Sequence, residues 1–198
     1  MQINHHLPLK QLLAICLGAS QQASSAVLAV YNSAFEVEYK QDESPLTLAD
    51  KRSHEILEKE LESSFPDIPI LSEEGKDIPY EERKNWEYFW LVDPLDGTKE
   101  FVKKNGEFTV NIALICKNRP IMGIIYVPVY DDVYFSMEGD GSFKLKSGSR
   151  VLNNIFKNTY SVNETEVFYN ELISNSVKLQ VNGVIKNDVN SELNVIIS

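Results

Sequence analysis

Two short segments hold the residue types that could do chemistry, Ser72-Glu73-Glu74-Gly75 and Val92-Asp93-Pro94-Leu95-Asp96-Gly97-Thr98. In the second, Pro94 holds Asp93 in an extended conformation and suits the start of a turn, so a buried strand is expected to stop at Asp93 and the chain to reverse there. Two carboxylates then sit three residues apart at a strand end, with the carbonyl of Leu95 between them. Hard cations such as Mg2+ take oxygen ligands of these kinds. Gly97 permits close approach of backbone to a ligand, and the N–H groups of Gly97 and Thr98, at an expected helix start, suit a phosphate oxygen. Glu73, at the end of another short apolar run, is the natural third carboxylate. Taken singly, Asp-Pro and Asp-Gly are ordinary turn chemistry, and a Glu-Glu pair is ordinarily a solvated face. Two apolar strands that both end in acids would, however, bury uncompensated negative charge unless a cation were bound. A cation site is therefore expected at Asp93, Asp96 and Glu73, whereas Glu74 is expected to face solvent.

The elements that must position these residues follow from periodicity. Leu9, Leu12, Leu13, Cys16, Ala19, Ala23, Ala26, Val27 and Val30 recur at three and four residues, which predicts an amphipathic helix. Phe35, Val37 and Tyr39 alternate with charged residues as in a strand with one wet face. Thr47 with Asp50 three residues on resembles a capping box, and Ile56, Leu57 and Leu61 continue a helix that Phe65-Pro66 stops. Helix capping and a role in the site are equal readings of Asp50 at this point. Ile68–Leu71 and Tyr88–Val92 read as buried strands, the second central. Two hairpins follow, Phe108–Cys116 with Ile121–Val127, and Val133–Met137 with Phe143–Leu145. The expected fold class is α+β, a layered sandwich with N-terminal helices packed on a largely antiparallel sheet.

Composition changes near residue 147. The last 52 residues carry ten asparagines against six before them, and only five of the 29 acids. Residues 1–146 are expected to form the metal-binding core, 147–177 an irregular Asn-rich segment and 178–198 one or two strands, including Asn194–Ser198.

A formal net charge of -10 disfavours a sequence-independent grip on a nucleic acid polymer, and none is expected. The two cysteines, Cys16 and Cys116, lie far apart without a Cys/His cluster, which supports neither a disulfide framework nor a zinc site and fits a reducing cytoplasm. Asn163-Glu164-Thr165 matches a glycosylation acceptor, a match without meaning in that compartment. Residues 7–26 do not read as an export signal, because Lys10 interrupts the apolar stretch and no basic cluster precedes it. No stretch is expected to span a bilayer, and with no basic patch or lipidation motif any association with the inner face of the cell membrane is at most peripheral.

Asp93-Pro94-Leu95-Asp96-Gly97-Thr98, preceded by Ser72-Glu73-Glu74, resembles the metal signature of the inositol monophosphatase superfamily of magnesium-dependent, lithium-sensitive phosphatases. Trp90 to Leu114, with Gly97-Thr98-Lys99-Glu100-Phe101 and Asn105-Gly106-Glu107-Phe108-Thr109-Val110-Asn111, is similar to its bacterial 3'(2'),5'-bisphosphate nucleotidase branch. The similarity covers most of residues 8–146. It implies a hydrolase that removes the 3'-phosphate of adenosine 3',5'-bisphosphate, a by-product of sulfur assimilation. It also implies that Glu73, Asp93, the Leu95 carbonyl and Asp96 bind Mg2+. Asp50 and Thr98 would orient and deprotonate the attacking water, with Glu73 also catalytic, and Glu73, Leu95, Asp96, Gly97 and Thr98 would line the substrate site. In-line displacement at phosphorus needs positioning and charge neutralisation more than covalent catalysis.

Members of that superfamily continue further, into an α/β half with a Trp-Asp-x-Ala-Ala motif that is absent from these 198 residues; against them, residues 147–177 resemble an insertion and 178–198 the start of that further subdomain. The resemblance therefore leaves two alternatives open, an active nucleotidase or a truncated homologue that binds a metal or phosphate or acts as an interaction module. An inositol monophosphatase-like specificity is disfavoured by Lys99-Glu100-Phe101 and Asn105–Phe108, which follow the nucleotidase pattern. Homodimerisation is common in the superfamily and is carried as an expectation.

Overall fold

The computed structural model describes residues 7–39, 45–158 and 165–179. Helix α1 (Leu9–Tyr31) is followed by a small antiparallel pair, β1 (Val37–Tyr39) and β2 (Pro45–Thr47), and then by α2 (Leu48–Ser64). Strands β3 (Ile70–Ser72), β4 (Tyr88–Asp96), β5 (Thr109–Cys116), β6 (Arg119–Val127), β7 (Asp132–Met137), β8 (Gly141–Leu145) and β9 (Val177–Leu179) form one sheet in sequence order. Short helices α3 (Tyr80–Arg83) and α4 (Thr98–Val102) flank β4, and α5 (Gly148–Asn158) and α6 (Thr165–Ser174) lie between β8 and β9. Every neighbouring pair in the sheet is antiparallel except β3 and β4, which run parallel.

Alternation sorts the sheet into two faces. Trp90 and Val92 of β4, Val110, Ile112 and Leu114 of β5, and Met122, Ile124 and Tyr126 of β6 are buried on the face that receives the helices. Helix α1 packs against α2 and across β5 and β6, burying Leu12, Leu13, Cys16, Leu17, Ala19, Ala23, Val27 and Val30. Trp90 is fully enclosed, with its ring 5.7 Å from that of Phe65. Burying an aromatic or aliphatic side chain of this size contributes about 1.5–3 kcal/mol, so this face carries most of the domain's stability.

Three expectations are corrected. The described residues of 147–177 are not an irregular segment, since Gly148–Asn158 and Thr165–Ser174 form α5 and α6, whose apolar residues Leu152 and Ile155, and Phe168, Tyr169 and Leu172, are buried in the common core. The asparagines hid this periodicity, since Asn153 and Asn154 occupy the exposed side of α5. Strand β4 also does not stop at Asp93, because pairing with β5 resumes at Asp96 beyond a register shift. Finally, α1 does have the length and apolar composition of a membrane span, although half of that stretch is buried inside the domain. Its apolar surface is taken up by α2 and the sheet. Residues 178 and 179 belong to β9 at the sheet edge, while Asn163 and the strand expected at Asn194–Ser198 lie outside the described residues.

Candidate active site

The site grows from the parallel pair. Ser72 of β3 is in register with Val92 of β4, and the Glu73 amide donates to the Val92 carbonyl at 3.1 Å, so Glu73 and Asp93 emerge side by side. On β4, Asp93 faces Asn111 of β5 and Asp96 faces Thr109. Three steps on one strand thus match two on the other, which is a bulge. In a regular strand residues three apart point to opposite faces. The extra residue restores parity and puts both aspartates on one side of the sheet.

Gly97 then turns the chain with φ +88°, a left-handed conformation that glycine adopts without strain. A Cβ there would lie 2.8 Å from the Glu107 carbonyl oxygen, so the turn also demands glycine for space. Behind it, Tyr31, Phe101 and Phe108 form a mutual aromatic cluster with ring centroids 4.9–5.2 Å apart, which anchors α4 and the 97–108 segment.

The structure brings the predicted residues together. Asp93 forms a hydrogen bond with Glu73, and burial, followed by the charges of Glu73 and Asp96, pushes its carboxyl up from 3.8 to about 7. The Leu95 amide, donating to Asp93 Oδ1 at 3.2 Å, pulls weakly the other way. Asn111 Nδ2 donates to Asp96 Oδ2 at 3.2 Å. The Thr98 hydroxyl lies 3.2 Å from Asp50 Oδ1 and 3.1 Å from the Leu95 carbonyl, and with one proton it donates to one of them at a time. Asp50 is almost fully buried, and its Oδ2 accepts from the Thr47 amide at 2.7 Å and the Thr47 hydroxyl at 2.6 Å. Asp50 therefore caps α2 with one oxygen, while the other faces Thr98.

Oxygen donors alone, crowded enough to raise the carboxyl of Asp93, fit a hard divalent cation that would replace the shared proton. Among the described residues, no group of three or more His, Cys, Asp or Glu side chains is placed to hold a metal ion as it stands, so there is no closed cage. The donors are neighbours, and the cation would complete their convergence.

Sequence reasoning assigned no role to three contributing residues. Ser53, fully buried on α2, donates to the Pro94 carbonyl at 2.6 Å. His54 Nδ1 is 3.0 Å from the Ser72 hydroxyl. Asn111 holds Asp96 and leaves its own Oδ1 buried without a partner among the described residues. The available signals were a spacing of three and four from Asp50, and a lone amide within the apolar run of β5.

A family model described as "Inositol monophosphatase family" matches residues 9–194. The chain belongs to the inositol monophosphatase family. It is 50% identical over 122 residues to the 3'(2'),5'-bisphosphate nucleotidase CysQ of Salmonella typhimurium, an overlap of 61% of this chain and 49% of that protein. The crystal structure of CysQ from Bacteroides thetaiotaomicron, described as a bacterial member of this family, matches with a TM-score of 0.68 and 36% identity over 89% of this chain and 60% of that one. An IMPase/NADP phosphatase crystallised with Mg2+ and phosphate shares the fold, with a TM-score of 0.61 and 21% identity over 70% of this chain and 52% of that one. The helices on a mixed sheet are thus the family fold, and the chain spans about half the length of the curated relatives it matches.

Proposed function

We propose that this chain carries the catalytic core of a Mg2+-dependent phosphomonoester hydrolase that removes the 3'-phosphate of adenosine 3',5'-bisphosphate, in the recycling of that by-product of sulfur assimilation. The observation that carries this reading is the meeting of Glu73, Asp93 and Asp96 beside a Thr98 hydroxyl hydrogen-bonded to buried Asp50. The names of the nearer relatives supply the substrate class.

Glu73, Asp93, Asp96 and the Leu95 carbonyl would hold the cation. Bound there, Mg2+ would neutralise phosphate charge and acidify a water. The chain's own residues do the rest. Asp50 Oδ1 takes the Thr98 proton, which turns a lone pair of Thr98 toward the nucleophilic water and passes that water's proton toward the carboxylate. The two donors from Thr47 keep Asp50 in place for this role. The amides of Gly97 and Thr98 orient the phosphate. The two free, buried cysteines suit a cytoplasmic location.

The test is Mg2+-dependent, Li+-inhibited phosphate release from adenosine 3',5'-bisphosphate, with Asp93→Asn as the control and inositol 1-phosphate as a competing substrate. Equal release by the wild type and D93N would remove the assignment. The lack of a closed cage among the described residues favours one second reading, a module that binds Mg2+ or phosphate without turnover. Calorimetric binding without phosphate release would select it.

A further inference from the structure

Asp50, Ser53 and His54 stand three and four residues apart and so share one face of α2. Each reaches a different segment of the site. Asp50 meets Thr98 and Ser53 holds the Pro94 carbonyl, which together fasten the end of β4. His54 fastens β3 through Ser72, the residue before Glu73.

That strand needs fastening. β3 is three residues long, lies at the sheet edge and pairs with β4 on one side. After the Glu73 amide bonds to Val92, the chain turns away with the Gly75 amide on the Ser72 carbonyl at 3.1 Å. The His54 ring covers this turn, with its Cε1 3.7 Å from where a Cβ on Gly75 would sit. Glu58 Oε2 lies 3.6 Å from Nε2 on the far side of the ring, while Nδ1 and the Ser72 hydroxyl share a hydrogen bond whose direction follows the ring tautomer. Of the two strands whose ends carry Glu73 and Asp93, β3 is the shorter and has a partner strand on one side only, so its end is the one that depends on a further tie.

We propose that His54 is a positioning residue: acting through Ser72, it holds the end of β3 so that Glu73 stays beside Asp93, which organises the oxygen donors before a divalent cation arrives. The cation half of this proposal rests on the function proposed above, and the positioning half does not.

The experiment compares wild type, His54→Ala, His54→Asn and Ser72→Ala by amide hydrogen exchange in the metal-free chain and by calorimetry with Mg2+. In H54A the Glu73 and Gly75 amides exchange about five- to tenfold faster, as for one lost hydrogen bond. Its Mg2+ affinity falls about 10–100-fold, the usual effect of losing an outer partner of a metal site. H54N, whose amide reaches the position of Nδ1, restores both. S72A reproduces H54A, and the double variant adds nothing further. Unchanged exchange at those two amides in folded H54A overturns the proposal, as does a silent S72A, which also decides the matter should H54A not fold. A wild-type chain that takes up no Mg2+ overturns the hydrolase reading and the cation half, while the exchange data still decide the positioning half.

Discussion

On α1, the buried Ser20 turns its hydroxyl back to the Leu17 carbonyl of its own helix at 3.0 Å, and the buried Ser24 hydroxyl has no hydrogen-bond partner among the described residues. On α2, which packs beside it, buried Asp50 and Ser53 and half-buried His54 all reach out of the helix to other segments. The two helices face the same sheet, and both bury polar groups in the same core. The difference is where the hydrogen bonds go. A hydroxyl satisfied within its own turn fills space and reports little, whereas one that bridges to a distant segment fixes a geometry. Buried polarity alone therefore did not mark the site, and its long-range partners did.

The comparison can be broken most forcefully at Asp50. Asp50→Asn keeps the shape and much of the cap but removes the proton acceptor, so kcat for phosphate release should fall about 10²–10⁴-fold with KM little changed. Retention of more than a tenth of the activity would show that α2 contributes capping alone. On the other helix, Leu17→Ala should lower unfolding stability by about 2–5 kcal/mol in denaturant titrations. The Mg2+ affinity of the folded fraction should stay at the wild-type value, and a change there would erase the distinction between the helices.

A paired substitution sharpens the contrast. Ser53→Ala strands the buried Pro94 carbonyl and should cost about 1–3 kcal/mol, together with weaker Mg2+ binding. Ser24→Ala removes an unpartnered hydroxyl and should be neutral or slightly stabilising. Chemical denaturation of both measures the difference, and equal losses would contradict it.

A smaller effect concerns pH. The Asp93 carboxyl titrates near 7 in the folded chain and lower when unfolded, so the folded state holds the extra proton. The stability linked to this proton is complete below the unfolded value and is lost as pH rises through about 7. A divalent cation takes the proton's place, so the rise in Tm on adding Mg2+ should be larger at about pH 8 than at about pH 5. An equal rise at both would separate the cation from Asp93.

Much of this was legible in the residues. The capping box at Thr47 and Asp50, the two hairpins, and the acids following Leu71 and Val92 follow from spacing and turn chemistry, and the structure places them accordingly. What was hidden depends on register between segments far apart in the chain. No local pattern says that Ser72 stands opposite Val92, or that Ser53 and His54 would find partners on two different strands. The helices α5 and α6 were hidden for another reason, since three asparagines break up the few apolar residues of α5 and α6 is only ten residues long.

The bulge between Asp93 and Asp96 turns the site into a matter of counting. The two carboxylates share a side because β4 carries one residue more than its partner over that interval. Exchanging the Leu95 side chain for another apolar one leaves that count intact, whereas deleting a single residue at 94 or 95 makes the ladder regular, so that the aspartates, now two apart, still share a side but lose the extra residue whose carbonyl lies between them beside Thr98. In this stretch the length of the chain is the more conservative property, and a gap here in an alignment of related sequences would signal a lost site more surely than most substitutions.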